Sequence, residues 1–382
     1  MSEKGDIIIV NRGHLRAEEM SGGEVIAMSL CRQWSSAGRR IRQICTAHTP
    51  AIWSGFRGGV EYITSNDSGS RAMTAYLRRV VASKFELAGE PEIIYSASDF
   101  LYDVRPARRL KRKYPAARWY AGLYLLVKMP GARDFLRAPG AAFRRMLTFV
   151  AQRISFRYLR AADAVFVLNE ADAAEMSARL GSAKVCVFQC GVDMAEIAAV
   201  ARGETAYDAV YLGAIHPRKG VEDLLRAWAA VTAKLPEAKL AIAGTGDARH
   251  VEKMKTLATS LGIEKRAVFV GPQKSPAKFT LLKAARVMAH PSYEESFAFS
   301  ILEGMACGLP VVAYDLAAYR GIYEAGMARV ETGNVAQLAE EIISLLGDEA
   351  RRARLSGDAA GLAARREQGA LTAEFMRRNN LE

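Results

Sequence analysis

The chain has 382 residues, half of them hydrophobic, which allows two ordinary domains with substantial cores and excludes a disordered protein. Its net charge is +12, and residues 101–160 alone hold 15 Lys/Arg against 2 Asp/Glu, so the excess is one local patch that suits an anionic partner. Apolar runs stay short of the roughly 20 residues that span a membrane, and the N-terminus lacks a signal-peptide pattern, so we expect a cytoplasmic protein.

Short apolar strands alternate with amphipathic helices from the start of the chain. Such an alternation is typical of a parallel sheet that helices cover on both faces. The predicted strands of the first half are Asp6–Asn11, Ile41–Thr46, Val60–Thr64, Glu92–Ser96, Ala117–Leu123, Ala162–Leu168 and Lys184–Gln189. Its predicted helices are Glu24–Trp34, Ala72–Phe85, Phe100–Lys113 and Glu170–Leu180.

The same alternation continues through the second half, followed by a helical, charged tail from Asn334. The predicted strands are Ala206–Leu212, Ala238–Ala243, Ala267–Val270, Arg286–Ala289 and Pro310–Ala313. The predicted helices are Val221–Lys234, Arg249–Leu261, Ala277–Ala285 and Phe299–Cys307. Two such runs predict an α/β protein with two doubly wound, Rossmann-like domains that face a cleft. The polar stretch Ala201–Tyr207 divides them into residues 1–200 and 201–361.

Three glycine-containing loops lie at predicted strand ends or helix starts, where phosphate-binding loops occur. Glycine permits a close backbone approach, and a helix N-terminus offers free N–H groups with partial positive charge. Each loop also has a simpler interpretation, as a capped helix start, a solvated basic turn or a tight turn. The loops are Ser21–Glu24 with Gly22 and Gly23, His216–Gly220 and Gly244–Asp247.

The loop His216–Gly220 carries Arg218 and Lys219 at a helix start, where the helix dipole disfavours cations. A bound anion would remove that cost, which favours an anionic ligand at this loop. None of the three loops matches the Walker or the dinucleotide fingerprint, which argues against an NTPase or a dehydrogenase.

Two glutamates eight residues apart, Glu295 and Glu303, follow a predicted strand. Glu303 falls on the next helix among apolar neighbours, where a carboxylate either points outward or has partners. Vicinal ribose hydroxyls are suitable partners, and the N–H groups of Ser296–Phe299 are placed for phosphate oxygens. Two solvated surface carboxylates are the alternative.

The segment Tyr293–Val312 resembles the E-x7-E block of retaining GT-B glycosyltransferases of family 4, the glycosyl transferases group 1. The resemblance is specific over Tyr207–Ala313 and looser before it. Other segments resemble further parts of that family in the expected order. They are the glycine loop Gly22–Gly23, the interdomain segments Ala162–Asn169 and Cys190–Asp193, the phosphate loop Tyr211–Gly220 and the second loop Ala243–Asp247.

The resemblance implies that the second domain holds a nucleotide-diphosphate sugar. It implies Lys219 and Arg218 on the phosphates, Glu303 on the ribose and Glu295, as the catalytic residue, at the transferred sugar. It also implies an acceptor bound by the first domain, and a terminal helix at about 362–382 that packs back on that domain. The implied donor-binding residues are Gly213, Arg218, Lys219, Gly244, Ser296, Phe297, Ala298, Phe299 and Glu303, with Gly22 and Gly23 as an acceptor or phosphate loop.

Departures from the family pattern keep other functions open. Ala214 stands where the family has an arginine, Ala298 where it has a glycine, and Arg118–Leu123 lacks a histidine that lies near the reacting sugar. His290 has a plausible cleft position, although a strand-end residue bonded to backbone is the simpler interpretation. The alternatives are a catalytically degenerate GT-B protein that binds or scaffolds a partner, and a different GT-B enzyme such as an epimerase or a phosphorylase.

The expected reaction is retaining hexosyl transfer without a metal or other cofactor. The sequence has no Asp-x-Asp pair for a metal-bound diphosphate, and its five scattered cysteines form no C-x-x-C pair. Basic side chains and helix N-termini would then stabilise the departing diphosphate.

The basic patch of residues 101–160 bears on the acceptor. Arginines among aromatic residues suit an anionic membrane surface, so we expect a lipid-linked saccharide acceptor for surface polysaccharide assembly, at the inner face of the plasma membrane. A second buried contact with a solvated basic edge is the alternative. Nucleic acid is not expected, because no recognition motif occurs.

A predicted helix within residues 141–163 has an apolar stripe at helical spacing, which we expect to pack in the core. On another side, Arg145, Arg153 and Arg160 stand among aromatic residues and are the expected contacts with lipid headgroups. The stripe consists of Phe143, Leu147, Val150, Ile154 and Tyr158.

Overall fold

The computed structural model describes residues 5–12, 22–54, 56, 58–65, 87, 89–132, 135 and 139–381. The predicted helix Ala72–Phe85 and the loop residue Ser21 lie outside these ranges. The chain divides into two compact units, Met1–Gln189 together with Thr372–Glu382, and Cys190–Leu371.

The first unit is built on a parallel sheet of seven strands, counted over the described residues. The strands are β1 (Asp6–Asn11), β2 (Ile41–Thr46), β3 (Val60–Ser65), β4 (Pro91–Ser96), β5 (Arg118–Gly122), β6 (Ala164–Val167) and β7 (Val185–Val187). The helices are α1 (Gly22–Ser36), α2 (Thr49–Ile52), α3 (Leu101–Lys113), α4 (Pro139–Leu159) and α5 (Glu170–Leu180). The strand order is β3-β2-β1-β4-β5-β6-β7. The inner strands are apolar and buried, as expected for a sheet with helices on both faces.

The second unit is built on a parallel sheet of six strands within the described part of the chain. They are β8 (Tyr207–Leu212), β9 (Leu240–Ala243), β10 (Ala267–Gly271), β11 (Ala285–His290), β12 (Val311–Tyr314) and β13 (Met327–Val330). The helices are α6 (Met194–Ala198), α7 (Val221–Lys234), α8 (Ala248–Ser260), α9 (Ala277–Lys283), α10 (Phe299–Ala306), α11 (Val335–Gly347), α12 (Glu349–Ala364) and α13 (Gln368–Arg378). The strand order is β10-β9-β8-β11-β12-β13.

Each sheet reverses its strand order once, between β1 and β4 in the first unit and between β8 and β11 in the second. At such a switch point the loops after the two central strands diverge and leave a crevice at the carboxyl edge of the sheet. The prediction of two doubly wound, Rossmann-like α/β domains is confirmed. Strand β13, which the sequence analysis did not identify, completes the second sheet.

The chain passes from the first unit to the second between Gln189 and Cys190, whereas the sequence predicted a boundary between residues 200 and 201. The segment after β7 pairs with the chain just before α13. Val192 N–H donates to Arg366 O at 2.9 Å, and Gln368 N–H donates to Val192 O at 3.1 Å. These bonds place Cys190–Val192 with the second unit.

The second crossing falls inside α13, at Leu371/Thr372, against a predicted boundary at 361/362. The later turns of this helix pack on the first unit. The Phe375 ring lies 5.0 Å from that of Phe166 and 4.8 Å from that of Phe188. One continuous helix therefore has residues in both units.

The apolar stripe of α4 faces solvent, so the prediction that it forms core is wrong. Phe143 is 51% exposed and Val150 is 48% exposed, while Tyr158 is half-buried. The helix has two apolar sides, and the periodicity of the sequence does not distinguish which of them meets the sheet. The inward side consists of Ala142, Gln152, Ser155, Phe156 and Leu159.

Gln152 fixes the inward side of α4 through three hydrogen bonds. Its amide nitrogen donates to Asp99 Oδ2 at 2.9 Å and to Leu125 O at 2.8 Å, and its amide oxygen accepts from Val127 N–H at 2.9 Å. Asp99 lies shortly after β4, at the first switch point, and is buried. Burial raises the pKa of Asp99 to about 6, although the hydrogen bond from Gln152 favours the ionised form.

We expect Asp99→Asn to change how stability depends on pH. Because folding raises the pKa of this carboxyl from 3.8 to about 6, the native state binds its proton more tightly and the free energy of unfolding falls as pH rises through that window. Because the amide does not ionise, the free energy of unfolding of the variant, relative to that of the wild type, should rise by about 2 kcal/mol between pH 4 and pH 7. Denaturant unfolding at both pH values measures this, with the exposed Asp358→Asn as control. A pH-independent difference for Asp99→Asn contradicts the expectation.

Candidate functional site

The second switch point brings together the loop after β8 (residues 213–220) and the loop after β11 (residues 291–298). Strands β8 and β11 pair in parallel, so their carboxyl ends lie at the same edge of the sheet. Tyr293 N–H donates to Arg218 O at 2.8 Å, and the Ser292 hydroxyl donates to the same oxygen at 3.3 Å. The two loops that carry most of the predicted donor-binding residues are therefore bonded to each other.

Glycines allow these loops to pack backbone against backbone. Gly220 has a φ of +68°, and a Cβ atom there would lie 1.9 Å from Pro291 O. Gly244, after β9, has a φ of +153°, and a Cβ atom there would lie 1.8 Å from Gly213 O. A larger residue at either position would push the loops apart, so the contact itself requires glycine.

Two consecutive cations face two consecutive carboxylates across this contact. Arg218 Nη1 lies 2.9 Å from Glu294 Oε2, and Lys219 Nζ is bonded to Glu295 Oε1. The side chains of Glu294 and Glu295 are 8% and 9% exposed, and the two cations are more exposed. A buried carboxylate needs such a partner because an unpaired buried charge costs several kcal/mol. The cations are the members of these pairs that a ligand can reach.

His290, the last residue of β11, takes part in this cluster rather than bonding to backbone. Its Nε2 lies 3.0 Å from Glu295 Oε1, and its ring stacks on Tyr211 with centroids 5.9 Å apart. His290 is 1% exposed. The buried His290 and the more exposed Lys219 therefore hold the same oxygen of the Glu295 carboxylate.

Glu295 is ionised at neutral pH. Burial alone would raise its pKa, but the hydrogen bond with His290 and the charge of Lys219 outweigh burial and lower the pKa to about 2. Because the folded pKa lies below the ordinary value of 4.5, these pairs stabilise the fold above that pH. The contribution is lost as pH falls toward about 2.

Glu303 lies on α10, as the sequence indicated, and has a partner that the sequence did not reveal. Lys278 on α9 places its Nζ 2.6 Å from Glu303 Oε1. Burial raises the pKa of Glu303, and Lys278 opposes that rise. No motif links these two residues, which are 25 positions apart, so only the fold brings them together.

The backbone at Ala298, just before α10, is left-handed, with φ 63° and ψ 69°. The Tyr323 hydroxyl lies 2.8 Å from Phe297 O and 3.0 Å from Ala298 O and so holds this turn. Ser296, Phe297 and Ala298 are buried, and Phe299 is half-buried. The alanine that departs from the family glycine thus keeps a backbone conformation that favours glycine, under strain.

Gly22 and Gly23 are the first residues of α1 in the first unit. Beside them the buried Glu24 accepts from Asn11 Nδ2 at 2.8 Å and from Trp53 Nε1 at 2.5 Å. From the sequence, a helix cap is the simpler interpretation of Glu24. In the structure this carboxylate connects the end of β1, the start of α1 and the end of α2.

The second switch point combines reachable cations with fixed carboxylates. Arg218 and Lys219 can bind an anion, while Glu295 and Glu303 can accept hydrogen bonds from hydroxyl groups. Burial, and then the neighbouring Arg218, lower the pKa of His216 to about 4, which fits a positive potential at this loop. Within the described ranges, no cluster of three His, Cys, Asp or Glu side chains is arranged to hold a metal ion.

Residues 194–360 match the family described as glycosyl transferases group 1. A curated relative, D-inositol 3-phosphate glycosyltransferase of Mycobacterium avium strain 104, is 42% identical over 107 residues. That alignment covers 27% of this chain and 24% of the relative, so the chain spans about a quarter of the relative's length.

Solved structures resemble the chain over nearly its full length. HepE of Anabaena, in complex with UDP and glucose, has a TM-score of 0.75 at 17% identity and covers 99% of this chain and 100% of its own. WaaG, a glycosyltransferase involved in lipopolysaccharide biosynthesis, has a TM-score of 0.66 at 15% identity and covers 96% of this chain and 98% of its own. These similarities show the fold, two Rossmann-like domains of the GT-B type.

Gly220→Ala should destabilise the protein more than Gly262→Ala. Their φ angles are +68° and +70°, so each substitution adds left-handed strain of about 1–2 kcal/mol. At Gly262 nothing lies within 4 Å of the added methyl group, whereas at Gly220 it meets Pro291 O. We expect a further loss of about 2 kcal/mol at Gly220 in denaturant unfolding. Equal losses at the two positions would contradict a tight contact between the loops.

Ala298→Gly should stabilise the protein by about 1 kcal/mol, because glycine adopts a φ of 63° without strain. Ala284→Gly is the matched control, since Ala284 ends α9 with a φ of −89°. There the same substitution should destabilise by up to about 1 kcal/mol. Thermal and denaturant unfolding of both variants measure the difference. If both lose stability alike, the turn before α10 is not strained.

Proposed function

We propose, from the membership of residues 194–360 in the glycosyl transferases group 1 family and the GT-B fold of the chain, that this protein transfers a hexose from a nucleotide-diphosphate sugar to an acceptor. The observation that carries the proposal is the paired-charge cluster at the second switch point. There Lys219 reaches toward solvent from a carboxylate, Glu295, that His290 fixes from within. Cations for a diphosphate and acceptors for sugar hydroxyls thus lie in one crevice.

The diphosphate of the donor binds Arg218 and Lys219 in this proposal. Both side chains are more exposed than their glutamate partners, so phosphate oxygens can reach them from solvent. Hydrogen bonds between charged groups are the strong ones, and a diphosphate offers several acceptors at once. Glu295 keeps His290 at 3.0 Å when Lys219 turns to the phosphate, so its carboxylate stays oriented.

The ribose of the donor binds Glu303. One oxygen of this carboxylate is held by Lys278 at 2.6 Å, and the carboxylate retains further lone pairs for two vicinal hydroxyls. Lys278 then acts as a positioning residue, because its ammonium group holds one oxygen of the half-buried Glu303 carboxylate and opposes the rise in pKa that burial causes. The buried turn Ser296–Ala298 brings the N–H groups that begin α10 close to the same crevice.

The transfer is retaining and needs no metal or other cofactor in this proposal. The bond between the sugar carbon and the diphosphate oxygen breaks, and the acceptor oxygen bonds to the same face of that carbon while its proton passes to the departing diphosphate. Positive charge develops on the sugar carbon, as in glycoside hydrolysis. Glu295 lies at the transferred sugar as the catalytic residue, and Arg218 with Lys219 stabilises the departing diphosphate. Each such donor lowers the barrier by roughly 2–4 kcal/mol.

The proposed acceptor is a lipid-linked saccharide at the inner face of the plasma membrane. It binds the first unit, in which Gly22 and Gly23 belong to the acceptor or phosphate loop. The basic patch of residues 101–160 supports an anionic, membrane-borne partner. The similarity in fold to WaaG, described as a lipopolysaccharide glycosyltransferase, supports surface polysaccharide biosynthesis as the setting.

A second candidate is a degenerate GT-B protein that binds a partner without transfer. Ala214 favours it, since this exposed position carries no cation and its carbonyl oxygen only accepts from the Tyr211 hydroxyl at 2.8 Å. Incubation with UDP-, GDP- and ADP-sugars and product analysis separate the candidates. Released or transferred sugar identifies an enzyme, and the anomeric configuration of the product reports retention. Bound nucleotide without any product indicates the degenerate protein.

One of the diphosphates UDP, GDP or ADP should raise the thermal unfolding temperature, because a ligand bound only by the folded state adds about 2.7 kcal/mol at 100 times its Kd. Lys219→Met and Glu303→Gln should each weaken that binding by roughly 10-fold or more, through the loss of a charged or a paired hydrogen bond. Lys253→Met, at an exposed lysine of α8, is the control. Each variant must first show a cooperative unfolding transition without nucleotide, so that a missing shift reports lost binding and not a lost fold.

Two results would contradict the donor site. One is the absence of any shift with all three nucleotides. The other is equal affinity in Lys219→Met, Glu303→Gln and the control, which would place the nucleotide elsewhere.

A further inference from the structure

Helix α4 carries four large apolar side chains on its solvent side. Phe143 is 51%, Val150 48%, Ile154 41% and Leu147 38% exposed, and we call these four residues the α4 stripe. They are half of the eight large hydrophobic side chains that are exposed in the described part of the chain. A surface helix ordinarily presents polar residues to water on this side.

The α4 stripe points directly away from the core of the first unit. At 100° per residue, its four members lie within an arc of about 60°. Gln152, at the centre of the buried side, lies opposite that arc and bonds to Asp99, Leu125 and Val127. The stripe is therefore not a misplaced core face, because α4 already has a complete inward side. Contiguous exposed apolar surface of this kind marks a contact with a partner or a membrane.

The charges on α4 have one sign. The helix contains four arginines and no Asp or Glu. Arg144 and Arg157 are exposed and border the stripe on either side. The other two are held by the protein, since Arg145 Nε donates to Lys128 O at 2.9 Å and Arg153 lies 4.6 Å from the Phe149 ring centroid. Arg144 and Arg157 are therefore the arginines of α4 that are best placed to contact a partner.

We propose that the α4 stripe inserts into the headgroup region of a membrane rich in anionic lipid, with Arg144 and Arg157 on the lipid phosphates. An interfacial helix buries its apolar side among the upper acyl chains and pairs its cations with headgroups. A second copy of the chain fits this face poorly. Two such helices would bring their arginines together without any carboxylate on α4 to compensate.

This inference adds a membrane contact to the proposed function. It rests on that proposal for one point, namely that the acceptor is lipid-linked. Membrane insertion would bring the acceptor-binding unit to lipid-borne saccharides. Vesicle binding is measured without nucleotide sugar. A chain that binds vesicles but transfers no sugar contradicts the proposed function alone, and a chain that transfers sugar but does not bind vesicles contradicts this inference alone.

The first experiment measures sedimentation with vesicles of phosphatidylcholine, with and without phosphatidylglycerol. The wild-type chain should bind the anionic vesicles. Phe143→Ser with Ile154→Ser should weaken partitioning by roughly tenfold or more, because two large side chains no longer leave water. Val268→Ser, at an exposed apolar residue of the second unit, is the matched control and should bind as the wild type does.

Arginine variants test the charge contribution in the same assay. Arg144→Gln and Arg157→Gln should each weaken binding to anionic vesicles by roughly fivefold, with little effect on neutral vesicles. Arg354→Gln and Arg377→Gln remove the same charge from exposed positions on other helices and serve as controls. If the control variants lose as much affinity for anionic vesicles as Arg144→Gln and Arg157→Gln do, the attraction depends on net charge alone. That result would overturn the assigned surface.

A tryptophan at Val150 reports insertion directly. All four native tryptophans are at most 1% exposed, so they contribute a background that vesicles should not change. Emission of Val150→Trp should shift to shorter wavelength with anionic vesicles, and that of Val268→Trp should not. Thermal unfolding of the serine variants of the stripe is the stability control. If they unfold at the same temperature as the wild type, loss of binding is not caused by unfolding.

Two further outcomes would also overturn the inference. One is vesicle binding that the serine variants of the stripe leave unchanged, with no shift in Val150→Trp emission. The other is a dimer in sedimentation velocity that those serine variants abolish, in a chain that does not bind vesicles, which would assign the stripe to a second copy.

Discussion

The backbone of Gly220 passes so close to Pro291 that no side chain fits between them. This contact sets the register in which Arg218 and Lys219 face Glu294 and Glu295, so the chemistry of the second switch point depends on it. The reversal of strand order makes the approach possible, because it places the ends of β8 and β11 side by side. Ion pairs and hydrogen bonds then join the two loops.

The same pairs explain a feature that the sequence made puzzling. Two cations at a helix start are disfavoured by the helix dipole, and an anionic ligand offered one explanation. In the fold, Glu294 and Glu295 already offset that cost from the neighbouring loop. The unusual position of Arg218 and Lys219 is thus no independent sign of a ligand. The support for a donor site comes from the exposure of these cations, from the fixed carboxylates and from the family match of residues 194–360.

Periodicity sufficed to predict the two doubly wound units, because continuous apolar strands between amphipathic helices leave few other arrangements. Motif spacing located Glu295 and Glu303, but it did not pair Glu303 with Lys278 or Glu295 with His290. Lys278 and His290 lie in no shared pattern with them, and only the tertiary fold brings the side chains together. The orientation of α4 failed for a different reason. Its two apolar sides have the same period, and the choice between them is made by the buried hydrogen bonds of Gln152.

Helix α13 has a consequence for how the chain unfolds. Its first residue, Gln368, accepts a hydrogen bond from Gly191 N–H in the second unit at 2.8 Å, whereas Phe375 packs on aromatic rings of the first. Loss of structure in either unit removes the packing from one end of the same short helix, and a helix of 11 residues is marginal without its tertiary contacts. Truncation within α13 should therefore remove stabilising contacts from both units.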